Sequence, residues 1–215
     1  MEVDVFFDNG GFHGFSYAHS VLYLLDNGYK INNTYGSSGG CPTALGSILH
    51  DDPNVIDEIY HRNIEIAKSK DTYTTIIRKI CNEIFVTEDD FLKCNGRLNI
   101  ITSYRLGFKF VPKIFNHFES NFDIIEAIIA SCHIPLVVDF KIGHLVQDKY
   151  YYDGYFCGWT PPPDVLHIKF YRSDEFRLKN TFFLPDKDKI EKNKLAAIEL
   201  TKNELSRINQ KITYL

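Results

Sequence analysis

The residues best suited to chemistry in this chain lie in Thr34-Tyr35-Gly36-Ser37-Ser38-Gly39-Gly40-Cys41-Pro42. The stretch reads as a short strand, a serine framed by glycines and the start of a helix. A Gly-x-Ser-x-Gly at such a junction can act as a nucleophile elbow: a tight turn lifts the serine hydroxyl clear of the sheet at a helix N-terminus, with little room for side chains at the framing positions. This spacing makes Gly36 and Gly40 the frame and Ser38, not Ser37, the nucleophile.

A serine attacking an ester needs a base for its proton, donors for the developing oxyanion and an apolar place for the acyl group. The loop Asn9-Gly10-Gly11 follows the first expected strand and the elbow follows the next. The two loops should therefore open on the same sheet edge, with the backbone N–H groups of Gly10 and Gly11, and of Gly39 after the nucleophile, as donors. Glycine loops of this kind also occur simply as tight turns. For the base, Ser38, Asp153 and His167 stand in the chain order of a hydrolase triad. His167 sits inside the strand-like Val165-Leu166-His167-Ile168, however, where a histidine that only satisfies the fold is the commoner case. Asp153-Gly154 follows a tyrosine-rich run, and a buried aspartate can orient a histidine or take the serine proton itself. His13 lies in the glycine loop. The other histidines show no metal-ligand spacing, so no metal is expected.

The elements that must position these groups are legible in outline. Val3 to Phe7 reads as a buried strand, and Phe15 to Leu25 as a helix with Val21, Leu22 and Leu25 inward and a stop at Asn27-Gly28. Ile31 to Tyr35 is a second strand, and a helix from about Pro42 to Leu49 follows the elbow. Two strand–loop–helix units in the first 50 residues argue for an α/β architecture with a mostly parallel sheet. Helices are expected over about 55–68, 72–85 and 122–131, with a short one from a cap at Thr87-Glu88-Asp89-Asp90 to Lys93. Strands are expected over 97–104 and 108–114. Tyr150 to Tyr152 and Val165 to Tyr171 should complete the sheet. Residues 186–211 read as a charge-rich surface helix whose stripe of Ile190, Leu195, Ile198, Leu205 and Ile208 packs on the domain.

With 215 residues the chain fits one sizeable core and not two domains of ordinary size. A net charge of −4 argues against nucleic acid as a partner. Asn9 replaces the first glycine of a dinucleotide fingerprint, and neither glycine loop is followed by Lys-Ser/Thr, so nucleotide chemistry is disfavoured. Five scattered cysteines without a CxxC pair read as reduced thiols. Acidic residues at Glu2 and Asp4 and the absence of a long apolar run predict a cytoplasmic protein, with peripheral contact at a membrane as a further option.

Four segments together resemble the patatin-like phospholipase family. Phe7-Asp8-Asn9-Gly10-Gly11-Phe12-His13-Gly14 is similar to its Asp-Gly-Gly-Gly-x-Arg-Gly loop, and Gly36-Ser37-Ser38-Gly39-Gly40 to its Gly-x-Ser-x-Gly. Ala130-Ser131-Cys132-His133-Ile134-Pro135 resembles its Ala-Ser-x-x-x-Pro segment, and Asp153-Gly154 its Asp-Gly-Gly/Ala. The motifs occur in the family's order over about residues 3–170.

The resemblance implies a three-layer α/β/α sandwich with a mostly parallel central sheet over residues 1–185, and residues 186–215 as a helix packed on it. It implies a Ser38–Asp153 dyad instead of a triad, with Gly10 and Gly11 in the oxyanion hole. The activity implied is hydrolysis of fatty-acyl esters through an acyl-enzyme, with lipid or another acyl ester as substrate and no cofactor; no activating partner is named by it. Three positions depart from the family pattern. Asn9 replaces a loop glycine, and its N–H is expected to remain available as a donor; His13 replaces a basic residue; Tyr155 follows Asp153-Gly154 where the family has Gly or Ala, and is expected to crowd the base. Two further readings follow: a catalytically weak or inactive lipid-binding or regulatory protein, and a Ser38–Asp153–His167 esterase of soluble esters.

Overall fold

A computed structural model describes residues 1–139, 141–169 and 184–213, of which 210–213 are described by backbone alone. Strands β1 (Glu2–Phe7), β2 (Lys30–Ser37), β3 (Leu98–Leu106), β4 (Lys109–Phe115) and β7 (Leu166–Ile168) form one sheet in the order β4-β3-β2-β1-β7. The pairs β1–β2, β1–β7 and β2–β3 are parallel and β3–β4 is antiparallel. The helices are α1 (Ala18–Asp26), α2 (Cys41–Leu49), α3 (Pro53–Ala67), α4 (Tyr73–Ile84), α5 (Asp90–Cys94), α6 (Asn121–Ser131) and α7 (Lys187–Thr213). This is a mixed α/β fold with a mostly parallel central sheet flanked by helices, consistent with a three-layer α/β/α arrangement.

The alternation of side chains along each strand divides the core. Val5 and Phe7 of β1, Leu98 and Ile100 of β3 and Leu166 and Ile168 of β7 join the large cluster formed with the helices. Phe6 and Ile101 point the other way, into a smaller cluster with Val165, packed by Tyr35, Ile114, Cys157 and Trp159. Burial of each phenylalanine of β1 contributes about 1.5–3 kcal/mol. The caps follow local chemistry: Asp52, Thr72 and Ser120 accept from backbone N–H groups at the starts of α3, α4 and α6. At α5 the expected cap is built differently. Asp90, inside the helix, accepts from the N–H groups of Val86 and Thr87 and from the Thr87 hydroxyl.

Two strand expectations change. Tyr150 and Tyr151 do not enter the main sheet. Strand β6 (Lys149–Tyr151) pairs with β5 (His144–Val146) in a separate hairpin, turned by Gln147 and Asp148 at φ 45° and 66°. Only Tyr152 reaches the main sheet, through N–H···O bonds of 3.0 and 2.8 Å with Ser103, beyond the point where β2 ends. Of the strand expected over Val165 to Tyr171, residues 166–168 are observed, while Phe170 and Tyr171 lie outside the described residues.

Helix α7 lies against α1, β7 and the 3-10 segment Gly11–Tyr17. Ser20 Oγ donates to Ala197 O at 3.2 Å, and Arg207 donates to the carbonyls of Pro163 and Val165.

Candidate active site

The parallel β1–β2 pairing sets Phe7 beside Gly36, so the loops that follow these strands emerge side by side. Their backbones touch. A Cβ on Gly39 would lie 2.1 Å from Gly11 O and 2.6 Å from Gly11 N. Any side chain at position 39 would force the two loops apart. At the frame positions, a Cβ on Gly36 would meet Cys41 Cα at 2.8 Å, and one on Gly40 would meet Phe7 O at 2.2 Å. Gly10, Gly11, Gly36, Gly39 and Gly40 are thus brought together with Ser38 at the end of the sheet.

Ser38 itself has φ 51°, the left-handed conformation of a strained serine elbow. Its N–H donates to Ser131 Oγ at 2.9 Å, and Ser131 Oγ donates to Ile101 O at 2.5 Å. Cys41 Sγ–H also points at Ser131 Oγ, at 3.3 Å. The C-terminal end of α6 therefore braces the turn from behind. The Ala130-Ser131-Cys132-His133-Ile134-Pro135 segment is the sequence signal for Ser131, but it does not reveal this supporting role.

Ser38 Oγ donates to Asp153 Oδ2 at 2.8 Å. Asp153 is 1% exposed and Ser38 7%. Tyr155 N–H donates to the other carboxylate oxygen, Oδ1, at 2.8 Å, and the backbone of the residue is fixed on both sides: Asp153 N–H donates to His133 O at 2.8 Å, and Ser103 Oγ donates to Asp153 O at 2.8 Å. Burial pushes the Asp153 carboxyl up to about 7; the bonds from Tyr155 N–H and Ser38 pull it down and the negative charge of Asp8 pushes it further up. A base poised near neutrality is suited to taking a proton from a serine and returning it to a leaving group.

His167 is not brought between these two residues. Its Nε2 lies 2.8 Å from Asp8 Oδ2 and its ring packs on Phe6 at 4.8 Å. The nitrogens of Asn9 are also taken: both its N–H and its side-chain Nδ2 donate to Asp8 Oδ1, at 2.7 and 2.6 Å. The expectation that Asn9 N–H would serve as an oxyanion donor is therefore corrected, because Asp8 already binds it. Asn9 Oδ1 instead accepts from Ser37 Oγ at 2.8 Å and ties the glycine loop to the elbow. That bond accounts for a polar side chain at this position, where a glycine would lack the side-chain tie to the elbow.

Tyr155 does not crowd the carboxylate. Its backbone supplies the N–H that holds Asp153 Oδ1, while its side chain is 45% exposed and packs edge-on against Phe156. His13 is buried, not solvated, and its Nδ1 lies 2.7 Å from Asn193 Nδ2 of α7. The aromatic residues near the base divide: Trp159 stacks on Tyr35 and meets Phe6 edge-on, Phe156 stacks on Phe110, and Tyr150 is exposed. An apolar cleft among α1, α2, α3 and the end of α4, lined by Phe15, Val21, Pro42, Ile56 and Ile84 among others, begins one residue beyond the elbow helix start but encloses only about 30 Å³. Among the described residues no group of three or more His, Cys, Asp or Glu side chains is placed to hold a metal ion, and no helix is long and apolar enough to cross a membrane.

No protein-family model matches the chain, and no curated protein matches it significantly in sequence. Among solved structures, a similar one is the heterodimeric complex ExoU–SpcU from the type III secretion system of Pseudomonas aeruginosa. Its matching chain is 14% identical, with a TM-score of 0.48 over 97% of this chain. The chain spans about half, 52%, of the length of that one.

Proposed function

We propose that the protein is a patatin-like serine hydrolase of fatty-acyl esters, with residues 1–185 as the hydrolase domain and 186–215 as its packed helix. The observation that carries this reading is the direct 2.8 Å bond from Ser38 Oγ to a buried Asp153 with no histidine between them. The four motifs shared with patatin-like phospholipases support the choice of a lipid ester as substrate.

In this mechanism Ser38 Oγ attacks the ester carbonyl carbon as Asp153 takes its proton. The N–H groups of Gly10, Gly11 and Gly39 receive the oxyanion; one such donor lowers the barrier by about 3–4 kcal/mol. The tetrahedral intermediate collapses, the C–O bond to the alcohol breaks, and Asp153 returns the proton to the leaving oxygen. Water then attacks the acyl-enzyme with Asp153 again as base, releasing the acid and Ser38. No cofactor takes part. Because His167 is bonded to Asp8, the geometry favours this dyad over a Ser38–Asp153–His167 esterase.

The test is fatty-acid release from a panel of phospholipids and neutral glycerides, with wild type and Ser38→Ala side by side. The expected result is release by wild type and background alone for Ser38→Ala. Release at the wild-type rate by Ser38→Ala contradicts the proposal.

A further inference from the structure

The chain carries a net charge of −4, yet the charged residues that line one part of its surface are all cations. Where β3 outruns β2, Arg105 of β3, Lys113 of β4 and Lys149 of β6 enclose a groove of about 490 Å³ together with Tyr104 and the tyrosines 150–152. A second hollow of about 310 Å³ shares Lys113, Lys149 and Tyr151 with it and adds His117. Neither lining contains an aspartate or a glutamate. Among the described residues, none of Arg105, Lys109, Lys113 and Lys149 takes part in an ion pair. Arg105 spends one of its five N–H donors on Gly107 O, at 2.8 Å, and Lys113 Nζ lies over the Phe115 ring.

Next in sequence to the lining residues, apolar side chains stand exposed. The β3–β4 hairpin tip presents Leu106 at 64% and Phe108 at 98% exposure, with Arg105 and Lys109 on either side. Tyr150 and Leu145, directly opposite each other in the β5–β6 hairpin, are 57% and 52% exposed. Lysines on the edge strand β4 would by themselves serve to discourage sheet-to-sheet pairing. That role requires neither a groove behind them nor a phenylalanine held in water at a turn. Apolar tips flanked by cations and tyrosines match the boundary layer of a bilayer bearing negative headgroups. The groove also adjoins the dyad: Tyr152, in its lining, is bonded to Ser103 and precedes Asp153.

We propose that this groove and the Leu106–Phe108 tip form the surface by which the protein docks on an anionic lipid bilayer. Phosphate-bearing headgroups lie among Arg105, Lys113 and Lys149, and Phe108 enters the interfacial layer. The inference rests on the acyl-ester reading for its biological sense, since it sets the dyad beside the bilayer, but docking itself requires no reaction at Ser38.

The experiment is co-sedimentation of full-length Ser38→Ala protein with vesicles of phosphatidylcholine and with vesicles of equal parts phosphatidylcholine and phosphatidylserine. Binding to the mixed vesicles alone is expected, weakened about fivefold for each lysine removed in Lys113→Ala and Lys149→Ala. Phe108→Ser, at a site too exposed to disturb the fold, is expected to weaken it as well, with unchanged far-ultraviolet circular dichroism. Equal binding to both vesicle types, no loss in either the lysine or the Phe108 variants, or displacement by inorganic phosphate but not by chloride at equal ionic strength overturns the proposal. Because the binding protein lacks Ser38, failure to dock leaves the hydrolase reading to the fatty-acid assay, and failure of that assay leaves docking to stand or fall here.

Discussion

Ser38 Oγ and Asp153 Oδ2, 115 positions apart in the chain, lie 2.8 Å from each other, and the carboxylate is shielded from water. Two elements make this meeting. The β2–elbow–α2 unit throws the serine hydroxyl out of the sheet, and the short bridge of Tyr152 to Ser103 delivers the aspartate.

Burial sets the pH dependence. With the Asp153 carboxyl pushed up to about 7, activity should rise about tenfold per pH unit below 7 and level off above it, because only the carboxylate accepts the serine proton. A pH profile of kcat/KM checks this, and a flat profile across that range contradicts it.

The same shift has a stability cost. The folded-state pKa lies above the unfolded one of about 3.9, so the folded protein binds more protons between these values and stability falls as pH rises through that window. Asp153→Asn abolishes the buried charge. It should be inactive yet more stable than wild type at pH 8, by a few kcal/mol (on the order of 1.4 kcal/mol per pK unit), and the advantage should vanish below about pH 4. Thermal melts of both proteins at pH 4 and pH 8 make the comparison.

His167 discriminates between two catalytic arrangements. Since its Nε2 is bonded to Asp8, His167→Gln should change kcat less than about tenfold, against the loss of about 10⁶ expected when the histidine base of a triad is removed. Kinetics on a short-chain ester read this directly.

Ser131 is a positioning residue. Ser131→Ala removes the acceptor of Ser38 N–H and leaves Ile101 O without its hydroxyl donor, both in the interior. The expected loss is about 1–3 kcal/mol of stability, with a fall in kcat and little change in KM. A fall in stability with kcat intact would limit Ser131 to a structural role.

Gly154 is required by contact alone. A Cβ there would lie 2.3 Å from Ser37 Oγ and 2.4 Å from Ile101 O. Gly154→Ala should therefore cost about 1–3 kcal/mol or more and displace Asp153, so that activity falls alongside the melting temperature.

The parts of the fold that were legible in the sequence are those with local causes. The unbroken apolar run Val5-Phe6-Phe7 announces a strand buried on both faces, and the glycine spacing around Ser38 announces an elbow. What was not legible depends on distant partners. Tyr150 to Tyr152 has the composition of a strand, but composition does not say that residues 144–146 will take Tyr150 and Tyr151 into a separate hairpin. His13 reads only as a member of the glycine loop, and nothing near it in the sequence says that Asn193, 180 positions later, will lie 2.7 Å from its ring. Asn9 looks like a departure from a glycine loop, and its bond with Ser37, 28 positions later, emerges only when β1 and β2 lie side by side. Tyr155 reads in the sequence as a bulky side chain beside the base, whereas in the fold its N–H meets Asp153 and its ring turns outward.

The most direct measurement of the central claim is the site at which a fluorophosphonate ester becomes covalently attached, mapped by peptide mass spectrometry. An adduct on Ser38 is expected in wild type, absent from Ser38→Ala and strongly reduced in Asp153→Asn, because the attacking oxygen needs its proton taken. An adduct on another serine, or undiminished labelling of Ser38 without Asp153, would contradict the dyad.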